Sequence, residues 1–153
     1  FDACEDVDFH LRVRDRGIAA RHSPRFAVSY FARATWRDLA RQMYRYGVGR
    51  GRLARKRGRL DPAAAYVPAL LVGLFALSGA SAFVCPHSAL VALPAMAALI
   101  VAALVSAFAV ARQAGVSVGA LSAVSFLVIF LSAGAGSLAG LLRPFAGNQG
   151  AAP

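Results

Sequence analysis

Residues 62–111 read PAAAYVPALLVGLFALSGASAFVCPHSALVALPAMAALIVAALVSAFAVA, fifty consecutive residues without a formal charge. A bilayer core of about 30 Å is crossed by roughly 20 apolar residues in a helix, so this stretch holds two spans. The 30 residues between Arg112 and Arg143 are also uncharged and hold a third. Turn signals place the spans at 63–83, 90–110 and 120–142, with a short turn at Cys85-Pro86-His87-Ser88 and a loop from Arg112 to Gly119.

Outward from these spans the composition changes completely. The chain has 17 Lys and Arg against 7 Asp and Glu, a formal charge of +10, and 58% hydrophobic residues. All 7 acids and 15 of the 17 basic residues lie at or before Asp61. The chain is therefore two materials joined near Asp61-Pro62: a polar part, 1–61, and an apolar part, 62–153. That distribution excludes a soluble single domain, a disordered tail and a secreted disulfide scaffold. Cys4 and Cys85, one in each part, do not make a framework.

No charged residue falls inside a span, so the proton relays, ion-coupling sites and gating charges that mark pumps and transporters are missing from the spans. The positive-inside rule puts the basic run before the first span in the cytoplasm. It then puts the Cys85–Ser88 turn outside, Arg112 inside and the tail outside, which leaves Arg143 on the wrong side. Gly115-x3-Gly119 and Gly136-x3-Gly140 match a close-packing pattern, but in segments this rich in small residues such matches carry little information.

Chemistry is sought before Asp61. FDACEDVDFHLRVRDRG, residues 1–17, places acids first, bases last and Gly17 after them, the order a helix macrodipole and C-cap favour. A helix is expected from Asp6 to Arg16. Phe26, Val28 and Tyr30 alternate and predict a short strand after the Ser23-Pro24 turn. Thr35 is an N-cap with Asp38 three residues on, and Leu39, Met43 and Tyr46 recur on one face of an amphipathic helix. Gly47, Gly49 and Gly51 each lower helix propensity by about 1 kcal/mol and are expected to break or bend it.

Two clusters can carry chemistry. A carboxylate of Glu5-Asp6 at a helix N-terminus stays ionised and can take a proton from a hydroxyl nucleophile. Asp6-Val7-Asp8 spells a metal-associated DxD, yet residues i and i+2 of a helix diverge, so a shared metal there is not expected. Gln42, Arg45 and Tyr46 share a helical face by their spacing of three and four. An amide, a guanidinium and an aromatic ring suit a diphosphate and a sugar ring. Each cluster also has a plainer reading, capping acids in the first case and an interfacial helix with snorkelling Arg in the second. The run Arg41 to Arg59 attracts anionic lipid at about 1 kcal/mol per basic residue near the surface; beside membrane spans, lipid is a nearer partner than nucleic acid.

Taken in order, FDACEDVDFHLRVRDRG, a Pro and strand ending in Arg33, then RQMYRYGVGRGRLARKR leading into apolar spans, the chain resembles the C-terminal part of a membrane-bound family 2 glycosyltransferase of the succinoglycan or exopolysaccharide type. Phe1, in the middle of a patterned segment, fits a C-terminal fragment. The resemblance implies the C-terminal remnant of an α/β GT-A domain (helix, short strand, amphipathic interfacial helix) followed by three transmembrane helices. It implies a bacterial inner membrane location with the catalytic part cytoplasmic, and transfer of a sugar, with inversion, from a nucleotide-sugar donor to a lipid-linked acceptor.

The family's general base carries over to Asp6, with Glu5 its motif neighbour. Its QxxRW element carries over to Gln42, Arg45 and Tyr46, where Tyr stands for Trp. Mg²⁺ or Mn²⁺ would be held by an upstream DxD not contained in this fragment, which is not expected to be active alone. The alternative is a non-catalytic, basic, membrane-anchored protein that binds anionic lipid or a partner.

Overall fold

A computed structural model describes residues 4–19, 21, 33–60, 62–81, 83, 87, 90 and 92–143. Among the described residues five α-helices follow one another: α1 (Glu5–Asp15), α2 (Trp36–Arg57), α3 (Val67–Ser81) entered through a 3₁₀ turn (Ala63–Tyr66), α4 (Ala92–Ala114) and α5 (Val116–Leu142). The expectation of an α/β remnant is overturned, because the described residues before the spans are helical and contain no strand. The strand expected over Phe26, Val28 and Tyr30 lies outside the described residues, as does most of the turn expected at Cys85–Ser88.

The helices are bounded by local chemistry. The Thr35 hydroxyl accepts the Asp38 N–H at 3.2 Å and donates to the Asp38 carboxylate at 2.7 Å, fixing the start of α2. Gly58, at φ 65°, ends it in the left-handed conformation open to glycine. Pro68 and Pro94 each sit in a first helical turn, where a missing N–H removes no intrahelical bond. Ala63–Ser81, α4 and α5 are each long and apolar enough to cross a membrane. The loop expected from Arg112 to Gly119 is reduced to one residue: Gly115, at φ 94°, separates α4 from α5.

α5 is the axis on which the other long helices pack, and glycine sets the distance of approach. A Cβ on Gly119 would lie 2.6 Å from the Cβ of Ala111 in α4, and Ser106 and Ser122 hydrogen-bond between the same two helices at 3.3 Å. α4 and α5 are thus an antiparallel hairpin. At about 100° per residue Gly134 and Gly136 fall on opposite sides of α5. Gly134 meets Pro68 and Val72 of α3; Gly136 and Gly140 meet the Tyr44 and Val48 carbonyls of α2.

The break expected at Gly47, Gly49 and Gly51 is therefore not found. α2 runs unbroken through all three, and they are buried. A Cβ on Gly47 would stand 2.8 Å from Ser137 N, and one on Gly51 2.7 Å from Leu141 N. The cost of glycine in a helix is offset by the backbone-to-backbone packing that only glycine permits. Nor does α2 present its apolar face to lipid alone: Gly47, Gly51 and Ala54 turn that face inward, while Arg37, Arg41, Arg45, Arg55 and Lys56 are exposed. Because residue numbers rise together along the contact, α2 runs parallel to α5. Their ends meet where the Arg55 guanidinium donates to the Arg143 carbonyl.

Candidate functional site

The polar residues singled out by sequence lie on α1 and α2. The spacing of Gln42, Arg45 and Tyr46 on α2 puts them on one exposed side. The Gln42 amide donates to the Tyr46 hydroxyl at 3.0 Å, and its oxygen accepts from Arg33 Nε at 3.0 Å. Gln42 is thus held at both ends of its amide, and the Arg33 donor, which needs an oxygen opposite it, fixes which way the amide points. Tyr46 is 44% exposed and Arg45 is exposed, so a ring face and a guanidinium are open to solvent beside a fixed amide. Arg33 is the member of this group that the sequence did not single out as a site residue. It lies nine positions from Gln42 on the other side of the α2 cap, with no periodicity to connect them.

Cys4 precedes α1 and carries the connection between the two clusters. Its thiol donates to the Tyr46 carbonyl at 3.4 Å, and its backbone stands at φ 68°, uncommon for a residue with a side chain. Burial pushes the thiol pKa up; Arg50 opposes that shift and the Asp6 carboxylate adds to it. Asp6 thus acts electrostatically on the Cys4 thiol, and it is that thiol which reaches the turn of α2 bearing Tyr46. Glu5 and Asp6 are both exposed, and among the described residues neither makes a hydrogen bond or ion pair.

Asp8 behaves differently from Asp6, although the two are only two residues apart. Its side chain is 8% exposed and accepts from Lys56 Nζ at 3.0 Å, with Arg12 at 3.6 Å and Arg57 at 3.9 Å. Arg57, 12% exposed, also pairs with Asp15, which Arg59 contacts at 3.0 Å. The hydrogen bond from Arg57, reinforced by the Arg57 and Arg59 charges, holds the Asp15 carboxyl below its usual range. Asp8, Asp15, Lys56, Arg57 and Arg59 form an ionic clamp that ties α1 to the C-terminal end of α2.

The clamp decides what the acidic cluster can do. Asp8 is turned inward onto cations and Asp6 outward to solvent, so Asp6-Val7-Asp8 does not present two carboxylates to one metal. Among the described residues no three His, Cys, Asp or Glu side chains converge on a common point. What the arrangement offers is two exposed carboxylates, Glu5 and Asp6, at a helix start that Cys4 tethers to a helix with an amide, a guanidinium and an aromatic ring.

No family model, curated protein or solved structure matches the chain.

Proposed function

We propose that the chain is the acceptor-side, membrane-associated part of a glycosyltransferase that moves a sugar from a nucleotide-sugar donor to a lipid-linked saccharide. Asp6 serves as general base: it accepts the proton of the acceptor hydroxyl as that oxygen attacks the anomeric carbon from the face opposite the leaving nucleoside diphosphate, inverting the configuration. Arg45 and Gln42 offer charged and neutral donors to the diphosphate, and Tyr46 offers a plane against which a sugar can stack. The resemblance implies Mg²⁺ or Mn²⁺ bound by an upstream DxD; the roles of Asp6, Gln42, Arg45 and Tyr46 do not depend on it.

The observation that carries the reading is the tether from Cys4 to the Tyr46 carbonyl, which joins the helix start bearing Asp6 to the helix bearing Gln42, Arg45 and Tyr46. An exposed carboxylate with no ion pair among the described residues suits proton abstraction, whereas the neighbouring Asp8 is already engaged. The uncharged flanking helices supply a membrane surface at which a lipid-linked acceptor would be presented.

The test is sugar transfer from radiolabelled nucleotide sugars by membranes containing the full-length enzyme. Asp6→Asn is expected to lower kcat by a factor of about 10² to 10⁴, the usual range for loss of a general base. Arg45→Gln is expected to raise KM for the donor. Turnover of Asp6→Asn equal to the parent would refute the base assignment.

A further inference from the structure

At the start of α2 a cleft of about 360 Å³ opens between that helix and α5, lined by Arg33, Ala34, Thr35, Trp36, Leu39 and Ser125. Its volume falls within the roughly 300–1,000 Å³ of small-molecule sites, and like them it sets a few polar groups among apolar ones. Three of its side chains can recognise a ligand. Arg33 commits Nε to the Gln42 amide oxygen, at 3.0 Å. The two terminal nitrogens of its guanidinium form a planar fork of the kind that takes a carboxylate or phosphate by two hydrogen bonds. Trp36 is 48% exposed, and its indole offers an apolar plane and one N–H donor. Ser125, from α5, adds a hydroxyl that both donates and accepts. The acid two residues beyond Trp36 is already engaged, since the Asp38 carboxylate accepts from the Thr35 hydroxyl and from Arg41 at 3.1 Å.

From this we infer that the cleft is a binding site for an anionic pyranose, with the sugar ring against Trp36, its carboxylate or phosphate on Arg33 and a ring hydroxyl at Ser125. A cation, an aromatic plane and a hydroxyl in one cleft complement a sugar that carries a negative group. A neutral sugar leaves the guanidinium without a counter-charge, and an acyl chain leaves all three polar groups without partners. Arg37, next to Trp36, is also exposed, so this end of α2 faces water rather than hydrocarbon. Through Arg33 the cleft continues the face that bears Gln42, Arg45 and Tyr46. In naming a sugar the inference rests on the transferase reading: an acidic unit of the saccharide acceptor would be held here, beside the unit that reacts.

Trp36 is the only tryptophan among the 153 residues, so its fluorescence reports on the cleft without a label. The chain in nanodiscs is titrated with methyl β-glucuronide, glucose 6-phosphate, methyl β-glucoside and acetate. At least one of the two anionic sugars is expected to change the emission saturably, with an affinity about tenfold above that of the neutral glucoside, as one charge-assisted contact implies. Arg33→Gln should erase that difference while the circular dichroism of the helices is unchanged, and Arg33→Lys should restore part of it. Equal affinity for neutral and anionic sugars in the parent chain would overturn the proposal, as would selectivity that survives Arg33→Gln or the absence of a saturable change with any sugar. The same response to acetate would assign the cleft to a small anion and overturn it as well. A silent titration beside sugar transfer that Asp6→Asn abolishes would remove this site and leave the transferase reading standing. Selective, saturable binding by a full-length protein that transfers no sugar would do the reverse.

Discussion

Replacing glycine by alanine at selected positions should change stability with opposite signs, depending on whether α5 or α2 lies against the new methyl group. At Gly79 a Cβ meets nothing within 4 Å. The substitution there removes backbone entropy from the unfolded chain and should be neutral or stabilising by up to about 1 kcal/mol. At Gly136 the added Cβ overlaps the Tyr44 carbonyl, and it lies 2.9 Å from Tyr44 C and 3.1 Å from Tyr44 Cα. At Gly47 it lies 2.8 Å from Ser137 N and 3.0 Å from Gly136 C.

These neighbours are backbone atoms of a continuous helix, so they cannot swing aside as a side-chain end could. To admit either methyl, α2 must move away from α5 by roughly the overlap, about 1 Å, and give up packing along the whole contact. Overpacking of this kind costs about 1–3 kcal/mol, against which the same propensity gain of about 1 kcal/mol is set. The net expectation is destabilisation by up to about 2 kcal/mol at each site. The double variant Gly47→Ala/Gly136→Ala should cost less than the sum, because helices already separated by one methyl admit the second more easily.

Unfolding by SDS titration in mixed micelles, followed by circular dichroism, reads all four proteins on one scale. The reasoning is refuted if Gly47→Ala and Gly136→Ala are as stable as Gly79→Ala, or if their effects are fully additive.

Other expectations follow from the ionic clamp and the helix ends. Asp8→Asn removes the carboxylate that Lys56, Arg12 and Arg57 share, and should cost about 1–3 kcal/mol of α1 docking, seen as faster hydrogen exchange in residues 5–15. The lowered pKa of Asp15 means that its contribution is present above the ordinary carboxylate value near 3.9 and is lost as pH falls through the lower folded value. A spin label on α1 should therefore become mobile only at pH values below the ordinary carboxylate range, and Asp15→Asn should be mobile already at neutral pH. Arg143 lies at the same end as Arg55, so a reporter fused after residue 153 should be on the same side of the membrane as one inserted after α2, at Gly58. Reporters on opposite sides would contradict that placement.

The strongest sequence signals were those that a single segment carries by itself. The uncharged runs place three long apolar helices within a few residues of their ends, and α1 and the Thr35 cap follow from acids, bases and a hydroxyl in local order. Gln42 and Tyr46 meet because residues four apart on a helix do so. What was not legible depends on pairs far apart in the chain. Gly47 and Gly51 read as helix breakers until Gly136 and Gly140 are set against them, nearly 90 residues away, and only then does the missing Cβ become packing.

Asp8 could not be separated from Asp6 by composition, since its inward turn is decided by Arg57 and Lys56 of another helix. The expected α/β organisation failed for a related reason. The expected strand rested on the alternation of Phe26, Val28 and Tyr30, which lie outside the described residues, and the α/β assignment on family resemblance, whereas the described helices owe their arrangement to α5. Arg143, out of place when spans are counted along the chain, lies beside the basic end of α2 once the helices are packed.

The parallel docking of α2 on α5, which fixes where the Gln42, Arg45 and Tyr46 face stands relative to the apolar helices, is tested most directly by thiol crosslinking in membranes. In a chain whose own Cys4 and Cys85 are replaced by Ser, the pairs Leu39→Cys/Ser125→Cys and Arg55→Cys/Arg143→Cys should each crosslink with a short bismaleimide reagent, since Leu39 and Ser125 line one cleft and the Arg55 guanidinium reaches the Arg143 carbonyl. The exchanged pairs, Leu39→Cys with Arg143→Cys and Arg55→Cys with Ser125→Cys, should not. Crosslinking of the exchanged pairs in place of the first two would show α2 reversed or undocked and would contradict the account.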